Sequence, residues 1–162
     1  MGRVDIRLAK LEDARGILGA HYSAVHETAA KDYTLEILRA WATPVTPARI
    51  DDYLRNALPK ETTLVADVDG RIAGFGVIIE SANELRAVYV AAEFGSKGIG
   101  SALLRELERL ARQSGCTELH MDSSLTAAPF YLHHGYEELA RAEHALGSGA
   151  TMACVRMRKV LD

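Results

Sequence analysis

The 162-residue chain is 48% hydrophobic and 25% charged with a net charge of −3, the balance of a single globular domain over residues 1–162 rather than a disordered or fibrous chain. That charge supplies no basic field for nucleic-acid binding, and no apolar run approaches the roughly 18 residues of a membrane span. No secretory signal stands at the N-terminus, so a cytoplasmic protein is expected, with Cys116 and Cys154 as free structural thiols outside any metal spacing.

Val4, Ile6 and Leu8 alternate with charged residues, which predicts a first strand with one buried face. From Leu11 to about Glu27, the residues Ala14, Ile17, Leu18, His21 and Val25 fall on one helical face. Two shorter helices are expected over roughly Thr34 to Trp41 and Thr46 to Leu58, separated by Pro44 and Pro47. Strands at Thr62 to Val68 and Arg71 to Glu80 flank Asp69-Gly70, a pair suited to a tight hairpin because both residues tolerate positive φ. A third strand follows at Glu84 to Ala91.

The stretch from Glu84 to Leu104 is the most informative. Its strand runs into a loop carrying Gly95, Lys97, Gly98 and Gly100, and an amphipathic helix begins at once with Ile99, Leu103, Leu104, Leu107 and Leu110 as its stripe. A helix start leaves N–H groups unpaired and carries about half a positive charge, so a phosphate fits there. Spacing alone equally allows an ordinary strand-to-helix turn. It does exclude a P-loop, since Gly98 follows Lys97, and the dinucleotide fingerprint, since the order is G-x-x-G-x-G. Beyond this helix, which Gly115 stops, come a strand at Glu118 to Ser123 and a short helix near Ala127 to His133. Strands near Tyr136 to Ala142 and Thr151 to Lys159 close the chain, and the whole order predicts a mixed sheet in an α/β domain.

Val90, Ala92, Gly95, Gly98 and Gly100 follow the central motif V-x-P-x-x-[QR]-x-x-G-x-[GA], with Ala92 in place of proline and Gly95 in place of Arg or Gln. About thirty residues on, Ala127 to Tyr136 follow A-x-x-F-Y-x-x-x-G-[FY]. On these two motifs the chain resembles the GNAT N-acetyltransferases, most closely over residues 60 to 140. The resemblance implies a mostly antiparallel sheet of six to seven strands flanked by about four helices. It also implies acetyl-CoA as cosubstrate, no metal, and a primary amine of a small molecule or peptide as acceptor. Nucleic acid and membrane are not expected partners, and the protein is expected as a monomer or homodimer.

The resemblance further implies roles. Tyr131 is the expected proton donor to the departing thiolate, and Glu84 the expected base for the amine, although Glu84 also fits a solvated strand end. Val88, Tyr89 and Val90 are expected to offer main-chain hydrogen bonds to the pantetheine arm. Ser96, Lys97, Gly98, Ile99, Gly100 and Ser101 are expected to cradle the pyrophosphate, and Ser124 to reach the cofactor where relatives carry asparagine. The first helices, with His21, Tyr22, His26, Glu27, Tyr33 and Trp41, are expected to wall the acceptor site. His120 and Asp122 share a strand face without a third metal ligand, and His133 and His134 point apart. A non-catalytic acyl-CoA-binding sensor or interaction module is the alternative function.

Overall fold

A computed structural model describes residues 2–162. Seven strands form one sheet: β1 (Val4–Leu8), β2 (Thr62–Val68), β3 (Arg71–Ile79), β4 (Glu84–Val90), β5 (Glu118–Ser124), β6 (Glu137–Ala145) and β7 (Thr151–Val160). Their order is β1-β2-β3-β4-β5-β7-β6, and each neighbouring pair is antiparallel except β4 and β5. Five α-helices accompany it where about four were expected: α1 (Ala14–Ser23), α2 (Leu35–Trp41), α3 (Pro47–Asn56), α4 (Ile99–Gln113) and α5 (Ala128–His133). No helix among the described residues is long and apolar enough to cross a membrane.

Local chemistry accounts for most boundaries. Thr34 and Thr46 cap α2 and α3 by accepting from the N–H groups of Ile37 and Arg49, and Pro47 sits in the first turn of α3, where a missing N–H costs nothing. The hairpin between β2 and β3 turns on Asp69 and Gly70, both at positive φ (52° and 86°), as the two-residue turn requires. The first predicted helix divides into a 3₁₀ turn at Leu11–Asp13, α1, and a wider π turn at Ala24–Thr28.

The core lies between α4 and the centre of the sheet. Leu103, Leu104 and Leu107 are fully enclosed with Val65, Ala66, Ala73 and Ile78, and each leucine contributes about 1.5–3 kcal/mol on burial. One expectation fails at the sheet edge. Val4 and Ile6 pack on the core, but Leu8, at the end of an edge strand that pairs only with β2, is 61% exposed.

The functional consequence of the topology lies at β4 and β5. They meet in register at one pair, Glu84 with His120, joined by the His120 N–H donating to the Asn83 carbonyl at 2.8 Å. Beyond it β4 continues to Val90 and β5 to Ser124 without further pairing. A wedge therefore opens in the middle of the sheet.

Candidate active site

The wedge exposes main-chain groups that a continuous sheet would consume. Ala91 donates its N–H to the Ala73 carbonyl on β3 at 2.8 Å. Antiparallel pairing alternates, so the Tyr89 N–H also faces β3, while those of Val88 and Val90 face the wedge. Of the three β4 residues expected to offer main-chain bonds, Val88 and Val90 are thus placed to do so. Tyr89 instead turns its side chain into a different cleft.

Tyr131, on α5, lies at the wedge. Its ring is 3% exposed and packs edge-on against Phe130 and Tyr136, at 5.1 and 5.6 Å between centroids. Burial raises the phenol well above its usual range, while a main-chain hydrogen bond at Val88 opposes that shift. The phenol is consequently neutral at every physiological pH, and its oxygen is the acceptor in that bond, which leaves its proton free for another partner. Behind it the Tyr136 hydroxyl donates to the buried Glu108, which the Lys159 ammonium also meets at 3.0 Å, fixing α5 against α4 and β7.

On one side of β4 a 350 Å³ cleft is lined by Val88, Val90, Phe94, Gly95, Ser96, Gly98, Ile99, Gly100, Ser101, Ala127 and Phe130. Gly98 stands before α4 at φ 81°, a conformation a side chain disfavours, and the first helical bond runs from Ala102 N–H to its carbonyl. The N–H groups of Ile99, Gly100 and Ser101 thus have no partner within the helix and open on this cleft. Ser101 Oγ is 2.9 Å from His134 Nε2, a contact that the paired histidines gave no reason to expect. Lys97 and Arg71 both lie over the Phe94 ring, at 5.8 and 5.2 Å, so two cations flank the loop where Gly95 lacks a long side chain.

On the other side a larger cleft of 830 Å³ extends from α1, α2 and α3 across β3 and β4 to β5 and β7. Ala87 and Tyr89 line it, whereas Val88 and Val90 line the smaller one, so successive β4 residues serve alternate clefts. His21 and Trp41 wall it: the Trp41 indole N–H donates to Tyr89 Oη at 3.2 Å, and the His21 ring meets Tyr89 edge-on at 4.7 Å. Burial and the neighbouring Arg49 push His21 down to about 4, so the ring is neutral and its Nδ1 accepts from Arg49 at 3.2 Å. Tyr33 braces the wall by donating to the Ala153 carbonyl at 2.6 Å and accepting from the Leu125 N–H at 2.8 Å. Tyr22, His26 and Glu27 do not line the cleft; Tyr22 stacks on His26 and Glu27 accepts from Ser23.

Glu84 lines the same cleft but is not the enclosed carboxylate a base would favour. Its side chain is 35% exposed and paired with Arg86 at 3.2 Å. Arg86 is the extra residue of a β-bulge, since Val77 pairs with Ala87 and Ile78 with Leu85, and it also meets Glu61 at 3.6 Å. Glu61 was missed by sequence reasoning: only 10% of its side chain is exposed, and burial raises its carboxyl above the usual range. Ser124 opens on this larger cleft rather than on the loop, and its hydroxyl accepts from the Ala127 N–H at 3.1 Å. Cys154 lines the cleft too, with its thiol pushed up by burial. Asp122 pairs with Arg156 and His144, and no group of three metal-ligating side chains occurs among the described residues.

A family model described as an acetyltransferase (GNAT) domain matches residues 59–138, the span from β2 through the wedge to α5. An uncharacterized N-acetyltransferase of Escherichia coli K12, YafP, is 28% identical over 138 residues, covering 85% of this chain and 83% of that protein. The crystal structure of a GCN5-related N-acetyltransferase from Rhodopseudomonas palustris superposes with a TM-score of 0.88 at 27% identity, covering 99% of this chain and 98% of that one. The structure of yncA from Salmonella typhimurium, described as a putative acetyltransferase with its cofactor acetyl-CoA, gives a TM-score of 0.70 at 25% identity, covering 99% and 95%.

Proposed function

Because the chain belongs to the GNAT superfamily, we propose that it transfers an acetyl group from acetyl-CoA to a primary amine of a small molecule or peptide, by direct attack in a ternary complex. The observation that carries this reading is the Tyr131 phenol, held beside the Val88 main chain in a wedge with a cleft on either side of β4. The smaller cleft suits acetyl-CoA: three N–H groups without helix partners at the start of α4 would hold its diphosphate, and the Val88 and Val90 main chain would offer an added-strand partner to its amide-bearing arm. Acetyl-CoA supplies an activated acetyl group on sulfur. The chain's own residues do the rest.

An amine near pKa 10 arrives protonated and must lose that proton before it attacks. The Glu61 and Glu84 carboxylates, which share one arginine, receive it, directly or through water, with Glu61 the more desolvated of the two. The Val90 N–H, which faces the wedge, is the candidate to stabilise charge developing on the acetyl oxygen, which an N–H fixed by the strand does at no cost of reorganisation. Tyr131 then donates its proton to the departing sulfur, and the proton that the nitrogen sheds as the amide forms restores the phenol. Cys154, the one cysteine in the cleft, is held as the thiol, which disfavours a covalent acetyl-enzyme. The test is thiol release from acetyl-CoA across a broad panel of amines. Amine-dependent release supports transfer, whereas acetyl-CoA binding without it would leave the sensor reading in its place.

A further inference from the structure

The larger cleft is lined by three arginines, and the protein neutralises two of them. Arg86 pairs with Glu61 and Glu84, and Arg156 pairs with Asp122. Arg49, half-buried near the start of α3, has no carboxylate within 4.0 Å among the described residues. Its two hydrogen bonds go to neutral acceptors, the Thr43 carbonyl and His21 Nδ1 at 3.2 Å. Those contacts fix the orientation of the guanidinium but leave its charge uncompensated. A guanidinium has five donors in a planar fork, so part of the fork is unused, and the fork fits a carboxylate with two parallel bonds. Partial removal of a charge from water without a counter-charge is unfavourable, which gives an incoming anion a reason to bind there.

The same cleft carries the complementary imbalance. Glu61 and Glu84 share the single cation Arg86, leaving one carboxylate in excess. Trp41, Tyr89 and Phe75 line the same cleft. From this charge imbalance we propose that the acceptor is a small aminocarboxylic acid, its carboxylate held by Arg49 and its amine directed toward Glu61 and Glu84. The proposal rests on the acetyl-transfer reading and names its substrate class. It sets a simple amine or polyamine apart, since neither carries an anion for Arg49.

The test is thiol release with acetyl-CoA and a set of amino acids, each matched to its amide and to its decarboxylated amine. A hydrogen-bonded charge pair of this kind corresponds to a preference of about 10- to 100-fold in kcat/KM for the acid over its amide. Arg49→Gln is expected to bring that ratio close to one, and Arg49→Lys to restore part of it, while unfolding midpoints verify that both variants are folded. The ratio, rather than the absolute rate, separates an anchor from a structural role. Equal or better turnover of amides and decarboxylated amines by the wild type, or an unchanged ratio in Arg49→Gln, overturns the proposal while acetyl transfer stands. Absence of turnover with every amine would overturn acetyl transfer itself, and this assignment with it.

Discussion

Replacing Tyr131 with phenylalanine isolates the chemistry of one hydrogen. The ring is enclosed, so phenylalanine fills the same space, and the packing against Phe130 and Tyr136 is kept. What is lost is a neutral donor that no bulk water can replace at 3% exposure. Removing one preorganised donor from a developing charge typically lowers the rate by about 10²–10³-fold, or roughly 2.7–4 kcal/mol. We therefore expect kcat to fall by at least about 100-fold, with the KM for acetyl-CoA within a factor of about two, because the α4 N–H groups are untouched. The substitution also leaves the Val88 main chain without the phenol, at a cost of about 1–3 kcal/mol of stability. That lowers Tm by several degrees at about 2–4 °C per kcal/mol, so the rates are to be compared well below the transition. Steady-state thiol release with acetyl-CoA and amine varied separately gives the kcat and KM split. A Tyr131→Phe enzyme with unchanged kcat would refute the assignment of the proton donor.

Three further outcomes follow from the same geometry. Gly100→Asp fits sterically, its Cβ 3.4 Å from Phe130, and stabilises a helix start by about 0.3–1 kcal/mol, yet it sets a carboxylate against the diphosphate. Wild-type protein at about 100 times the Kd of acetyl-CoA gains roughly 2.7 kcal/mol in thermal unfolding, and the variant should show little of that shift; an equal shift would move the diphosphate elsewhere. Glu61, with its carboxyl raised by burial, accepts a proton from the amine only when ionised, so kcat/KM should fall with falling pH through a value above the usual carboxylate range. Glu61→Gln should lower the rate and remove that limb, and Glu84→Gln should lower the rate less; a pH profile untouched by Glu61→Gln argues against it as the base. His21 is pushed down to about 4 in the fold, so its stabilising contribution is present above the unfolded value of 6.5 and is lost as pH falls toward 4. At 1.36 kcal/mol per unit this is about 3 kcal/mol at most, and denaturant unfolding of His21→Gln should lose less stability than wild type between pH 7 and pH 4.5. Parallel losses in both proteins would contradict it.

The smaller cleft was legible in the sequence because one continuous segment builds most of it. Strand alternation, three glycines and an amphipathic stripe over Glu84 to Leu110 are local signals, and each has a direct structural counterpart in β4, the loop and α4. The larger cleft was not legible in the same way. Arg49, Glu61, Tyr89, Asp122 and Cys154 come from α3, the approach to β2, and β4, β5 and β7, and no local spacing brings them together. The bulge at Arg86 is equally silent in sequence, yet it supplies the cation that Glu61 and Glu84 share. Adjacency groups Tyr89 with Val88 and Val90, whereas hydrogen-bond alternation gives its N–H to β3 and its ring to the larger cleft. Leu8 shows the same limit at the edge, where a period of two identifies a face but not how far the rest of the fold covers it.

Direct transfer is the central claim, and isotopically labelled acetyl-CoA tests it most directly. With enzyme in excess and an accepted amine present, the protein and the amine are followed together by mass spectrometry through one turnover. The account predicts label on the amine nitrogen with no labelled protein at any time. Label on Cys154 or another side chain before it reaches the amine, or label released only as free acetate, would contradict it.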